Sequence, residues 1–100
     1  MPVYLVERYW PGVTSKVLLE AINRGRRVMA EMNGEGTRVC DISCILILGE
    51  EVVFSVYEGP SAAAVRQFND RAGIPVSRIV EAVAVAVGHG ADPPPADAER

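Results

Sequence analysis

The apolar residues of this 100-residue chain recur with two different spacings, which alternate along the sequence. Helical spacing predicts two helices, one beginning at Thr14 or Ser15 and one capped by Ser61. Alternating stretches rich in β-branched residues predict strands at 3–10, 39–48, 52–58 and 79–87. The order is βαββαβ, which predicts an α+β, ferredoxin-like sandwich with an antiparallel sheet ordered 4-1-3-2.

The hairpin formed by the second and third strands allows the faces of the sheet to be assigned. A three-residue loop, 49–51, would place two apolar rows on the side of the helices. These inward rows are Ile42, Cys44, Leu46 and Leu48, and Val52, Phe54 and Val56. The outward rows are then Asp41, Ser43, Ile45 and Ile47, and Val53, Ser55 and Tyr57. In the last strand we expect the alanines at 82, 84 and 86 to face inward.

The outward face of the sheet has no cover within one chain, because right-handed crossovers place both helices on the same side. It would expose Val3, Leu5, Ile45, Ile47, Val53, Ile79, Val83, Val85 and Val87. Burying one aliphatic side chain contributes about 1.5–3 kcal/mol, so covering half of these rivals the total stability of a domain, about 5–15 kcal/mol. The sequence therefore predicts a homodimer formed through the open sheet face.

Composition narrows the class of protein. Hydrophobic residues make up 49% of the chain and the formal net charge is -3, which indicates a folded domain with no electrostatic case for nucleic acid. No apolar run approaches the roughly 18 residues of a membrane span, and no secretory signal is recognised, so we expect a cytoplasmic protein without a membrane partner. Residues 1–87 form the predicted domain, and the Pro, Ala and acidic residues of 88–100 predict a disordered tail.

Two cysteines, Cys40 and Cys44, lie four positions apart on a predicted strand. Their separation is roughly 13 Å at about 3.3 Å per residue, which is too long for a disulfide or for joint chelation of one metal ion. We interpret them as small buried apolar residues, with a redox or metal role as the alternative. Phosphate-binding loops, Cys-x-x-Cys pairs, nucleophile elbows and His-Glu-x-x-His are all absent, so no catalytic motif is recognised.

Glu7 and Glu81 are candidate metal ligands, since their strands are predicted antiparallel neighbours and the two carboxylates could approach at one end of the open face. Such a pair could bind a divalent cation or share a proton for acid/base work. Alternatively, they are rim charges paired with Arg8, Arg78 or a partner chain. His89, the only histidine, is a further candidate ligand or a solvated tail residue.

Tyr57, Ser43 and Asp41 form a second candidate site at the opposite end of the sheet. A phenol, a hydroxyl and a carboxylate on one outward face could orient a small molecule. The alternative is that Tyr57 forms part of a dimer contact.

An ordered set of short motifs resembles a family of small bacterial proteins of unknown function, the nickel-binding-protein-like family of dimeric ferredoxin-like sandwiches. The resemblance covers roughly residues 3 to 85. Its motifs are Leu5-Val6-Glu7-Arg8 with Pro11-Gly12, Tyr57-Glu58-Gly59-Pro60-Ser61 with Ala64-Val65-Arg66, Arg71-Ala72-Gly73-Ile74-Pro75, and Arg78-Ile79-Val80-Glu81.

This resemblance implies a homodimer with facing sheets and divalent nickel as a candidate ligand. Some relatives are expected to carry a histidine near the position of Asn69, and imidazole suits nickel better than an amide does. The motif glutamates Glu7, Glu58 and Glu81 are retained, which leaves an oxygen-rich metal site as the first hypothesis. The second is a cofactor-independent enzyme built like the dimeric α/β-barrel monooxygenases and isomerases, with a small-molecule cavity. The third is an interaction module without a small ligand.

Overall fold

The computed structural model describes residues 1–87. Its elements are β1 (Val3–Tyr9), α1 (Ser15–Gly34), β2 (Cys40–Ile47), β3 (Val52–Glu58), α2 (Ala62–Ala72) and β4 (Arg78–Ala82). The sheet is antiparallel with the order β2-β3-β1-β4. The predicted fold class and strand order are therefore confirmed, while the predicted tail and His89 lie outside the described residues.

Side-chain caps fix the start of both helices where the sequence predicted them. The Thr14 hydroxyl accepts a hydrogen bond from the Val17 amide at 3.1 Å, and the Ser61 hydroxyl accepts one from the Ala64 amide at 3.1 Å. Gly73 forms the C-terminal cap of α2, and its φ of 67° lies in the left-handed region that favours glycine. These local contacts set the helix boundaries independently of the sheet.

The core lies between the sheet and the two helices, which pack on one face. A Cβ built on Gly25 of α1 would lie 3.0 Å from Cζ of Phe68 in α2, so the glycine allows the two helices to approach closely. The buried apolar residues around this contact are Tyr4, Val6, Ala21, Val28, Met32, Val39, Tyr57, Ala64, Val65, Phe68, Ala72 and Ile74.

The predicted orientation of β3 is wrong. Ile47 pairs with Val52, so the turn between β2 and β3 has one residue more than the three-residue loop expected from the sequence. A shift of one residue moves every side chain of a strand to the other face. Val53, Ser55 and Tyr57 are consequently buried under the helices, whereas Val52, Phe54 and Val56 lie on the uncovered face.

Two further strand details differ from the sequence prediction. A bulge between Asp41 and Ser43 changes the alternation of β2, so Asp41 faces the helices beside Tyr57. β4 ends at Ala82 because its partner β1 begins at Val3, opposite Ala82. Ile79 faces the core and Ala82, opposite Val3, lies on the uncovered face, so the predicted orientation of the last strand is wrong.

The uncovered side of the sheet is called the open face below. Strand register assigns to it Val3, Leu5, Glu7, Tyr9, Cys40, Ser43, Ile45, Ile47, Val52, Phe54, Val56, Glu58, Arg78, Val80 and Ala82. Within residues 1–87, no helix packs on this side of the sheet. No helix in the described part of the chain has the length and hydropathy needed to cross a bilayer.

Candidate functional site

Arg8 is the most unusual buried residue of the protein. It extends from β1 toward the helices and is only 1% exposed, although arginine is rarely buried without partners. Its guanidinium donates four hydrogen bonds: Nε to Ser55 Oγ at 3.3 Å, Nη1 to Asn69 Oδ1 at 2.7 Å and to Pro75 O at 2.9 Å, and Nη2 to Tyr57 OH at 2.8 Å. Arg8, Ser55, Tyr57 and Asn69 are called the Arg8 cluster below.

Internal hydrogen bonds orient the partners of Arg8. The Tyr57 hydroxyl donates to Asn69 Oδ1 at 3.3 Å, and Asn69 Nδ2 donates to the Val65 carbonyl at 2.8 Å, one turn earlier in α2. Burial raises the pKa of Tyr57 far above its ordinary value, although the Arg8 charge opposes the shift. The phenol therefore stays protonated and serves as a hydrogen-bonding group, not as a general base.

A second set of polar groups leads from the Arg8 cluster toward the edge strand β2. Cys44 Sγ lies 3.1 Å from Ser55 Oγ, and Asp41 Oδ1 lies 4.0 Å from Cys44 Sγ. Burial raises the pKa of the Asp41 carboxyl, and the positive charge of Arg8 partly offsets this. Burial also raises the pKa of the Cys44 thiol, against the lowering effect of its contact with Ser55.

A cleft between α1 and β2 borders Asp41 and Cys44. One part has a volume of about 360 Å³ and is lined by Ile22, Gly25, Arg26, Met29 and residues 41–44. The adjoining part has a volume of about 420 Å³ and is lined by Arg26, Met29, Ala30, Asn33 and residues 38–40. Together they are called the α1–β2 cleft. It exists because the helices pack over the inner strands and leave this edge of the sheet partly uncovered.

The structure does not bring Tyr57, Ser43 and Asp41 together on the outward face. Tyr57 and Asp41 are pairing partners on the helix face, where Tyr57 is 1% exposed. Ser43 pairs with Val56 on the open face. The predicted outward position of Tyr57 and Asp41 is thus wrong, because of the turn length and the bulge described above.

The expectation that Glu7 and Glu81 approach each other is also wrong. Glu7 lies opposite Arg78 and forms an ion pair with it, Oε2 to Nε at 2.5 Å. Glu81 lies opposite Tyr4, three positions farther along β1. That separation is about 10 Å, and the odd number of positions places the two carboxylates on opposite faces of the sheet.

The remaining predicted ligand positions are separated as well. Glu58 is on the open face opposite Val3, four positions from Glu7 along the neighbouring strand. Asn69, the position where some relatives were expected to carry histidine, is fully buried, and its side-chain oxygen accepts hydrogen bonds from Arg8 and Tyr57. Among residues 1–87, no three His, Cys, Asp or Glu side chains are grouped closely enough to hold a metal ion.

Comparison with known proteins gives one family. Residues 4–82 match the model of the SCO4226-like family, described as nickel responsive protein SCO4226-like. The chain belongs to this family. Its fold is similar to the crystal structure of SCO4226 from Streptomyces coelicolor A3(2), with a TM-score of 0.71 and 26% sequence identity, over 84% of this chain and 99% of that chain. No curated protein matches.

The sequence analysis did not identify the residues of the Arg8 cluster as one site. Arg8 has the same strand parity as Tyr4 and Val6, so the alternation of β1 contained a signal that its side chain points inward. Asn69 lies four positions after Val65 and three before Ala72, so the helical spacing of α2 also contained a signal that its side chain points inward. Its role became visible only when α2 was packed over β1 and β3.

Proposed function

We propose that the chain is a nickel-responsive binding protein that acts as a homodimer, with two protomers packed through the open face and Ni²⁺ held by carboxylates of that face. The observation that carries the proposal is an apolar sheet face, bearing two glutamates, in a member of a nickel-responsive family. Each part of the proposal has its own test.

Dimerisation is supported by the side chains on the open face. Leu5, Val56 and Val80 are neighbours across three strands, and Phe54 lies between Glu7 and Ile45. Ile45 is 58% exposed. At about 25 cal/mol per Å² of apolar surface removed from water, a second sheet packed on this face would contribute substantially to association.

The metal part of the proposal involves Glu7 and Glu58, because both are on the open face. A two-fold axis through that face would supply two copies of each carboxylate, whereas one protomer presents them four positions apart. Oxygen ligands bind divalent cations, although nickel also favours imidazole. Glu81 is omitted, since its register places it on the other face.

Sedimentation velocity at micromolar concentration tests the dimer. The wild-type chain should sediment with about twice the 10.8 kDa mass of one protomer, and Phe54→Lys should give a folded monomer because it buries a charge in the interface. Leu19→Lys is the matched control, since Leu19 is 61% exposed on α1. A wild-type monomer, or a dimer unaffected by Phe54→Lys, would contradict the proposed interface.

Calorimetric titration with nickel chloride tests the ligands. Glu7→Gln and Glu58→Gln should each weaken Ni²⁺ binding about tenfold or more, because even the loss of a residue that only supports a metal ligand typically costs about 10–100-fold in affinity. Arg78→Gln should strengthen binding, because it removes the cation that now pairs with Glu7. Glu81→Gln is the control and should have no effect. Unchanged affinity in both Glu7→Gln and Glu58→Gln would remove these residues from the site.

The enzyme hypothesis receives less support from the geometry. A small-molecule enzyme needs polar groups that a substrate can reach inside an apolar pocket. Arg8, Tyr57 and Asn69 are at most 1% exposed and are hydrogen-bonded to one another. We therefore propose a binding function, not a catalytic one.

A further inference from the structure

The α1–β2 cleft has positively charged side chains at one end. Arg26 lines both parts of the cleft, and Asn33 and Arg38 line the larger part. Arg26 and Asn33 lie two turns apart on α1, so they are on the same side of the helix. Arg38 lies on the segment between α1 and β2. Two guanidinium groups and one amide therefore border the same end of the cleft.

The acidic residues at the C-terminal end of α1 interact with Arg71 of α2 and not with the arginines of the cleft. Glu35 accepts hydrogen bonds from Arg71 on both carboxylate oxygens, at 2.8 and 3.1 Å. This hydrogen bonding, together with the negative charge of Glu31, raises the pKa of Arg71. In the described part of the chain, neither Arg26 nor Arg38 forms an ion pair with a carboxylate. The two arginines therefore leave this end of the cleft positively charged.

Apolar side chains form much of the cleft wall. Met29 of α1 lines both parts, Ile22 lines the smaller part and Val39 lines the larger one. Ile42 also lines the smaller part and is 52% exposed. It has no partner in the register between β2 and β3, because the bulge in β2 leaves it out of the pairing. Bulges beside binding sites redirect side chains in this way.

The size of the cleft suits a small molecule. Its two parts, of about 360 and 420 Å³, fall within the range of about 300–1,000 Å³ that is usual for ligand pockets. At about 30 Å³ per water molecule, each part has room for about 12–14 non-hydrogen atoms. Asp41 lines the smaller part, where a second negative charge would be unfavourable. An anionic group would therefore lie at the Arg38 end, with an apolar body extending past Met29.

We propose that the α1–β2 cleft binds a small organic carboxylate with an apolar body. Arg26 and Arg38 hold the carboxylate, because a guanidinium group can donate two parallel hydrogen bonds to it. Met29 and Ile42 contact the body and remove it from water. The cleft is separate from the proposed nickel ligands on the open face, so this inference goes beyond the proposed function and does not depend on it.

Nuclear magnetic resonance of the whole ¹⁵N-labelled chain, titrated with sodium octanoate at pH 7, tests the site. The amide shifts locate the bound molecule, and 1-octanol provides the same apolar body without the charge. We expect saturable shifts concentrated at residues 22–33 and 38–44. Binding of 1-octanol should be at least about tenfold weaker, because it lacks the charged group that the arginines hold.

Substitutions in the cleft test the two halves of the ligand separately. Arg26→Gln and Arg38→Gln should each weaken octanoate binding about tenfold, since each removes a charge-assisted hydrogen bond. Arg66→Gln is the matched control, because Arg66 is exposed on α2 and does not line the cleft. Ile42→Ser should weaken binding about threefold through lost apolar contact. Leu48→Ser, at a side chain that is 85% exposed outside the cleft, should leave it unchanged.

Other outcomes would overturn the inference. The absence of saturable shifts in the wild-type chain would show that the cleft does not hold the carboxylate. Shifts centred on Leu5 and Phe54 would show that octanoate binds to the apolar open face. Unchanged affinity in both Arg26→Gln and Arg38→Gln would remove the arginines from the site. A chain that binds octanoate in the cleft but binds no nickel would support this inference and overturn the metal part of the proposed function.

Discussion

The face of the sheet under the helices, called the helix face, and the open face differ in side-chain composition and in hydrogen bonding. The helix face contains a fully buried guanidinium, and each of the central polar groups around it is satisfied by a specific partner. The open face is mainly aliphatic, and the ion pair that Glu7 forms there with Arg78 is partly exposed to solvent. A buried hydrogen-bonded network fixes geometry and tolerates little change, whereas an apolar surface fits any partner of complementary shape. We therefore expect substitutions on the helix face to change folding, and substitutions on the open face to change association.

The strongest contrast should come from the adjacent residues Arg8 and Glu7, which point to opposite faces. Arg8→Ala leaves four acceptors without their donor and creates a cavity, so it should lower the free energy of unfolding by about 3–5 kcal/mol. Glu7→Ala should change it by less than about 0.5 kcal/mol. Urea denaturation monitored by circular dichroism measures both. Equal changes in the free energy of unfolding for the two substitutions would contradict the proposed difference between the faces.

Tyr57→Phe should have the next largest effect. It removes one hydroxyl that accepts from Arg8 and donates to Asn69, so it should cost about 1–2 kcal/mol while the ring stays packed against Phe68. Tyr9→Phe is the control, because Tyr9 is 60% exposed. The same denaturation experiment applies. A Tyr57→Phe variant as stable as wild type would mean that the Arg8 cluster tolerates an unpaired donor.

Asp41 should make stability depend on pH in the direction opposite to a salt-bridged aspartate. Its pKa is higher in the folded chain than its ordinary value, because burial disfavours the charged form. The folded state then binds more protons, and the contribution of this group to stability is lost as pH rises through its folded pKa. Asp41→Asn should therefore be more stable than wild type at pH 7.

The difference between Asp41→Asn and wild type should shrink as the pH falls toward the ordinary pKa of aspartate. Denaturant midpoints measured from pH 7 to pH 4 for both chains give this difference directly. Glu20→Gln, on the exposed side of α1, controls for the loss of one negative charge. A stability gap between Asp41→Asn and wild type that is independent of pH would show that burial of the carboxylate is not its cause.

The smallest expected effect is on the rate at which the Cys44 thiol is alkylated. The thiolate is the reactive form of cysteine, and burial raises the pKa of the Cys44 thiol. In a Cys40→Ser chain, alkylation by iodoacetamide at pH 8 should be about tenfold slower for folded than for urea-unfolded protein. Equal rates would indicate that the β2 edge opens readily and that the helix face is less rigid there than the Arg8 cluster suggests.

Much of the fold could be predicted because its signals are local. Thr14, Ser61 and Gly73 mark helix ends through contacts within one turn, and alternation identifies the strands. The face of each strand was harder to predict, because it depends on counting residues through a turn. One extra residue before Val52 and one bulge near Asp41 reversed the positions of Tyr57 and its neighbours.

The candidate site was less predictable than the fold. Glu7 was correctly placed on the open face, and its pairing with Arg78 was among the alternatives considered. The register that separates Glu7 from Glu81 has no signature in either strand alone. The Arg8 cluster combines residues up to 61 positions apart in the chain, so no sequence window contains it.

The sequence by itself determined the order of elements, the helix boundaries and the excess of apolar residues over what two helices can cover, because each depends on neighbouring residues or on composition. The tertiary structure decided which residues share a face and which polar groups meet. Those outcomes depend on turn length, on strand register and on where α2 crosses the sheet, all of which are set by packing between distant segments.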